Sequence, residues 1–182
     1  MKILKYLLIV LLVFLIAAGV IVWKAGFFTS ISVKEQTMGP YTVVYEEHQG
    51  DYAMAGVIQK KIYDFLIEKE IETTKGFGIY LDDPGSVDKE LLRSEIGCIV
   101  DHPGTEIYNL KDDPYKIREI VRGKYMVIEF PFKNQLSILA GIMRAYPKLE
   151  QHRIEQGYAK SYSMEIYDVP NEKIFYLMEI GL

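Results

Sequence analysis

The sequence predicts an α+β domain built from two strand–helix–strand–strand units, preceded by one transmembrane helix. Three observations carry this. The first is an 18-residue N-terminal run, Tyr6 to Trp23, with no charge and no proline. The second is one element order that recurs in both halves of the remaining chain. The third is a local signature in each half, Ile79-Tyr80-Leu81-Asp82-Asp83-Pro84 and Ile166-Tyr167-Asp168-Val169-Pro170. A duplication of this kind predicts a single sheet with both helices on one face and a central groove lined by the other.

As a helix the apolar run is about 27 Å long, close to the roughly 30 Å hydrocarbon core of a bilayer. Trp23 and Lys24 stand at its end, where an amphipathic ring and a snorkelling lysine suit the interface. The competing reading is a cleaved signal peptide. That would have a shorter apolar region followed by a small-x-small site, whereas Ala17-Ala18-Gly19 lies inside the run. Lys2 and Lys5 precede the run and Lys24 alone follows closely. The positive-inside bias then puts the N-terminus in the cytoplasm and exports the rest. The expected organisation is an anchor over 1–24, a linker over 25–38 and one domain over 39–182.

Within the domain, Tyr41 to Glu47 alternates and is rich in β-formers, so it reads as a strand. Gln49-Gly50-Asp51 breaks it, and Asp51 suits a helix N-cap. From Tyr52 to about Lys69, apolar residues recur at three and four. This puts Met54, Ile58 and Phe65 on the sheet-facing side. Gly76 to Leu81 reads as a strand ended by Asp82-Asp83-Pro84-Gly85, and Glu95 to Val100 as the next.

The second half repeats this order. Lys124 to Phe130 is a strand, and Asn134 caps a helix from Gln135 to about Ala145. Leu136, Leu139, Ala140 and Met143 are expected on its buried side. Pro147 opens a second helical segment that stops before Gly157. Ser161 to Val169 and Ile174 to Glu179 complete the sheet.

Composition narrows the chemistry. Lys2, Lys5 and Lys24 lie in or beside the anchor, so the rest of the chain keeps 18 of the 21 basic residues against all 25 acids, a formal −7. That disfavours a nucleic-acid surface. Cys98 is the only cysteine, so no intrachain disulfide forms. His48, His102 and His152 make no metal-ligand spacing, and no metal is expected. No phosphate loop or nucleophile elbow is present. In the strand Tyr162 to Val169, alternation sets Ser163, Glu165 and Tyr167 opposite Tyr162, Met164 and Ile166. Two readings of Glu165 stay open here. It is a solvated strand residue, or a carboxylate beside aromatic rings that holds an organic cation.

Gly39-Pro40-Tyr41, His48-Gln49-Gly50-Asp51-Tyr52, Gly78-Ile79-Tyr80-Leu81-Asp82-Asp83-Pro84 and Met164-Glu165-Ile166-Tyr167, in this order and spacing, resemble the GyrI-like small-molecule-binding domain. That domain groups with effector-binding domains of drug-sensing activators and with the SOUL haem-binding proteins. The resemblance spans roughly residues 40 to 181. It implies a ligand-facing glutamate at Glu165, with Tyr167 and Tyr80 nearby and Tyr45 as a further lining residue. The SOUL likeness concerns fold rather than haem, and no cofactor is expected. A narrower likeness runs through the anchor, Phe130-Pro131-Phe132, Leu136-Ser137-Ile138 and Tyr146-Pro147-Lys148-Leu149 to a vertebrate autophagy receptor of the endoplasmic reticulum. That receptor joins one span to such a domain. Its interaction motif lies on a long acidic tail, which is not carried over to a sequence ending at Leu182.

The resulting expectation is a membrane-tethered module for a small organic ligand, cationic or aromatic. The alternatives are a GyrI-like hydrolase using Glu165 to activate water, and a ligand-free anchored domain that recruits a protein partner.

Overall fold

The computed structural model describes residues 2–104, 107, 110 and 114–180. The predicted C-terminal boundary at 182 therefore lies outside the described residues. The apolar run forms α1 (Lys2–Lys24) and is exposed along almost its whole length. It is long and apolar enough to cross a membrane. The chain then gives β1 (Lys34–Met38), β2 (Tyr41–Gln49), α2 (Ala55–Glu68), β3 (Lys75–Tyr80) and β4 (Arg93–Ile99). It continues with β5 (Lys116–Ile120), β6 (Gly123–Pro131), α3 (Gln135–Gln156), β7 (Ser163–Asp168) and β8 (Lys173–Glu179).

The caps act where the sequence places them. Asp51 accepts from the Ala53 amide at 3.0 Å and opens a short 3-10 turn leading into α2. Asn134 accepts from the Ser137 amide at 3.1 Å at the start of α3. Gly157 ends α3 in the left-handed conformation, at φ 71°.

All eight strands form one curled antiparallel sheet in the order β1-β6-β8-β7-β3-β4-β2-β5. Read outward from the central β7–β3 pair, each strand meets its counterpart: β8 with β4, β6 with β2, β1 with β5. The two strand–helix–strand–strand units are thus related by a pseudo-twofold axis between β3 and β7. The register there pairs Gly78 with Glu165. Those residues also match when the two Ile-Tyr signatures are aligned.

Both helices cover one face. α2 buries Ile58, Ile62 and Leu66 at four-residue spacing. α3 buries Ser137, Ala140, Gly141, Ala145 and Leu149. The opposite face closes on itself around Val43, Phe77, Ile79, Tyr125, Val127, Met164, Ile166 and Leu177.

Four expectations change. The groove does not line the helix-free face, because the curl of the sheet packs that face shut. Residues 25–38 are not a free linker: β1 pairs with β6, and Ala25 and Ile31 are buried. α3 runs unbroken through Pro147, which sits on its exposed side between the buried turns of Ala145 and Leu149. Leu136, Leu139 and Met143 point outward, at 45%, 52% and 59% exposure, while small residues face the sheet. Small residues are needed there because Tyr176 already fills the layer. A Cβ on Gly141 would stand 2.2 Å from the Tyr176 hydroxyl. Met54, in the 3-10 turn before α2, is likewise exposed, and Phe65 on α2 is only partly buried.

Candidate functional site

The two helices lie side by side on the sheet and leave a groove between them. Its volume is about 1560 Å³, above the roughly 300–1,000 Å³ of ordinary small-molecule sites because it is an open trough. β3 and β7 form the floor, with Gly56, Gln59 and Tyr63 of α2 on one wall and Ile138, Ile142 and Tyr146 of α3 on the other. Glycine clears the floor. A Cβ on Gly76 would overlap the Gln59 side chain, and one on Gly78 would stand 2.8 Å from the Tyr80 hydroxyl.

Glu165 lies at the centre of this floor and is only 2% exposed. Strand parity aims it at the helices while Met164 and Ile166 enter the opposite core. The Tyr146 hydroxyl donates to its Oε1 at 2.6 Å, and the Tyr167 hydroxyl donates to its Oε2. Tyr80 brings a third hydroxyl to the carboxylate. Gly78 and Tyr176 are its register partners on the two neighbouring strands. The rings brace one another: Tyr52 on Tyr80 at 4.8 Å, Tyr146 on Tyr176 at 5.6 Å, and Phe132 on Tyr167 at 6.0 Å between centroids.

The electrostatics follow from this setting. Burial raises the Glu165 pKa, and the hydroxyl donors of Tyr146, Tyr167 and Tyr80 oppose it without cancelling it. Burial and then the Glu165 charge push the Tyr80, Tyr146 and Tyr167 phenols well above their usual range. Those hydroxyls remain donors at any physiological pH. Charges elsewhere on the groove are paired: Lys160 with Asp83 at 3.0 Å, Arg153 with Glu150 at 2.7 Å, Lys89 with Asp51 at 2.7 Å. Glu165 makes no ion pair among the described residues. The floor of an aromatic trough therefore holds a carboxyl without a counter-ion.

Of the residues singled out from sequence, Glu165, Tyr167 and Tyr80 come together. Tyr45 does not. It faces the helix-free core with Val43 and Phe77, beneath the Arg118 guanidinium at 5.4 Å. Tyr146 and Tyr176 are further neighbours of Glu165 that sequence reasoning missed. Tyr176 was accessible from the short β7–β8 hairpin, whose register sets it beside Glu165. Tyr146 carries no local signal, because only the packing of α3 brings it to β7. No cluster of potential metal ligands occurs among the described residues. Cys98 is buried and its thiol is pushed up to about 12 by burial, so it is an inert core residue.

The profile of the GyrI-like small molecule binding domain matches residues 32–180. No curated protein sequence matches the chain, so the likeness to the autophagy receptor gains nothing from that comparison. Several solved structures share the fold. SAV2435 bound to tetraphenylphosphonium has a TM-score of 0.56 at 12% identity, with 82% of this chain and 94% of that chain covered. The EcmrR C-terminal domain gives 0.60 at 10% identity over 83% and 98%. The integron cassette protein VCH_CASS2 from Vibrio cholerae gives 0.53 at 11% identity over 84% and 99%.

Proposed function

From the premise that this chain belongs to the GyrI-like small-molecule-binding family, we propose that its groove holds a lipophilic organic cation with Glu165 as the counter-charge. One observation carries this reading: a nearly fully buried carboxyl, donated to by tyrosine hydroxyls, has no cation of its own and faces an aromatic trough. A bound cation supplies the missing partner, and the ring faces suit its charge and its apolar bulk. Its arrival favours the ionised form that burial alone disfavours, so binding releases a proton wherever Glu165 was still protonated. That SAV2435 is solved with tetraphenylphosphonium supports the choice of ligand class.

The test is a thermal-unfolding titration of the chain from Ala25 onward with tetraphenylphosphonium and with neutral triphenylphosphine oxide. At a hundredfold excess over Kd the cation should add about 2.7 kcal/mol of stability. The neutral compound should add far less. Equal stabilisation by both would remove the charge from the argument. A buried carboxyl whose pKa is raised by burial, beside tyrosine hydroxyls, also suits general acid–base chemistry. The hydrolase reading requires turnover of a reactive small molecule that Glu165→Gln abolishes.

The proposal extends to place. α1 anchors the chain in a membrane, with the N-terminus on the cytoplasmic side and the groove-bearing domain exported. Support comes from the length and hydropathy of α1 and from the absence of packing against it.

A further inference from the structure

α3 carries an apolar surface that the fold leaves unused. Leu136, Leu139 and Met143 recur at three and four residues, the spacing of one helix face, and all three are exposed. On one side this face adjoins Ile138, Ile142 and Tyr146, which wall the groove. On its other side α3 holds the segment that leaves α1. Arg144 donates to the Gly26 carbonyl at 3.0 Å, and Lys148 to the Ile31 carbonyl at 2.7 Å. Ala25, the first residue after α1, is 1% exposed. α1 therefore joins the domain without slack, and joins it at α3.

One end of the groove lies at the same place. A side chain on Gly26 would touch Phe130 and Pro131. The next residue, Phe132, lines the groove and packs on Tyr167, which holds Glu165. Val169, exposed and apolar, lines this end as well. Charge agrees with the geometry. Residues 24–33 and 132–149 contain Lys24, Lys133, Arg144 and Lys148 but no Asp or Glu, in a chain of net charge −4. Phe28 projects beside the tether and is 73% exposed.

We propose that the outer face of α3, together with Phe28, rests in the headgroup–acyl boundary of the bilayer, so that the groove opens onto the membrane and takes its cation from the lipid phase. This rests on reading α1 as a membrane span. Apolar side chains beside Lys and Arg, with acids absent, suit a lipid surface: the chains enter the boundary and the cations meet phosphate. A lipophilic cation gathers in that same layer, where the groove meets it at high local concentration. A protein partner would leave Phe28 and the tether without a common explanation.

The experiment uses the full-length chain in phosphatidylcholine–phosphatidylglycerol liposomes, with an environment-sensitive NBD label on Met143→Cys. Cys98 is the only native cysteine and is 2% exposed, so the label goes to the introduced thiol. Val57→Cys, on the outer side of α2, is the reference site. Emission at 143 should be blue-shifted from that at 57 and quenched by lipids carrying a doxyl group near the headgroup. Leu139→Cys should behave like 143, which guards against a fault of one site. Emission at 139 and 143 equal to that at 57, in protein that floats with the liposomes, overturns the proposal and leaves the span intact. A blue shift without doxyl quenching means that protein, such as a second copy, covers the face, and overturns it too. Protein that carbonate washing strips from the liposomes overturns the span and this proposal with it.

Discussion

Replacing Glu165 by Gln should weaken cation binding and leave the fold at least as stable, and these two effects have one cause. The substitution keeps shape. Gln Oε1 still accepts from Tyr146, and its amide donates to the Tyr167 oxygen once that hydroxyl turns, since a phenol both donates and accepts. What disappears is the charge. A partly desolvated contact to a charged group is worth about 1.5–3 kcal/mol, or roughly ten- to a hundred-and-fifty-fold in Kd. Tetraphenylphosphonium should lose affinity by that factor, and a neutral ligand of the same size should lose little.

Stability should move the other way. The folded pKa of Glu165 lies above its unfolded value because burial disfavours the anion. Between those two values the folded chain holds a proton that the unfolded chain has released. Glu165's contribution is therefore fully present below the unfolded value and is lost as pH rises through the folded one. Gln does not titrate, so Glu165→Gln should gain on the native protein as pH increases across that window. Urea unfolding from pH 4 to 9, paired with calorimetric titration of the cation, reads both effects. Unchanged cation affinity in a folded Gln variant refutes the charge role. A stability difference that shrinks with pH refutes the assigned direction of the shift.

Other outcomes follow from the same geometry. Leu149→Ala should cost about 2–5 kcal/mol in urea unfolding, because Leu149 is fully buried on the sheet-facing side of α3; Met143→Ala should stay within about 0.5 kcal/mol, and a reversed order would restore the discarded helix face. Gly141→Ala drives a methyl into the buried Tyr176 ring, an overpacking cost of roughly 1–3 kcal/mol that the roughly 1 kcal/mol gain in helix propensity only partly offsets; a stabilised variant would contradict the close approach. Tyr80→Phe removes a donor from the Glu165 anion, so the pH midpoint of cation affinity should move upward, whereas an unmoved midpoint excludes Tyr80 from the carboxyl's surroundings. A reporter fused after the last strand should behave as exported, and activity in the cytoplasm would reverse the proposed orientation of α1.

Much of this architecture is readable along the chain because its signals are local. Cap residues, the helix-period pattern of α2 and the period-two alternation of β7 each concern neighbours in sequence. β1 and β5 escaped because both are polar edge strands, Lys-Glu-Gln-Thr-Met and Lys-Ile-Arg-Glu-Ile. Edges carry charge to discourage further pairing, which erases the hydrophobic signal. The buried side of α3 was misread because Leu136, Leu139 and Met143 face outward, while Ser137, Ala140, Gly141 and Ala145 face the sheet with Leu149. Periodicity ranks side chains by hydropathy and cannot see that Tyr176 has taken the space beneath. Tyr45 was misplaced for a related reason. Val43, Val44 and Tyr45 are all buried, so β2 is covered on both faces and alternation alone cannot assign them. Glu165 is the intermediate case. Its side of the strand was legible, whereas its burial depends on Tyr146 from a helix 19 residues earlier.

The pseudo-twofold axis explains why the site has a single charge. β3 and β7 are equivalent strands that pair with each other, and the residues meeting at the axis are the equivalent pair Gly78 and Glu165. A symmetric ancestor with glutamate at both positions would set two carboxyls against each other on the floor of one groove. Like charges that close disfavour joint ionisation, so such a pair would hold a shared proton rather than offer a full anion. Glycine at one position removes this competition and does a second thing. The absent side chain is the space that the Tyr80 hydroxyl occupies on its way to Glu165. One repeat supplies the carboxyl, and the other supplies the room and a donor that steadies it. The asymmetry between two otherwise matching halves thus falls where a single cation would be neutralised, at the centre of a trough built by both.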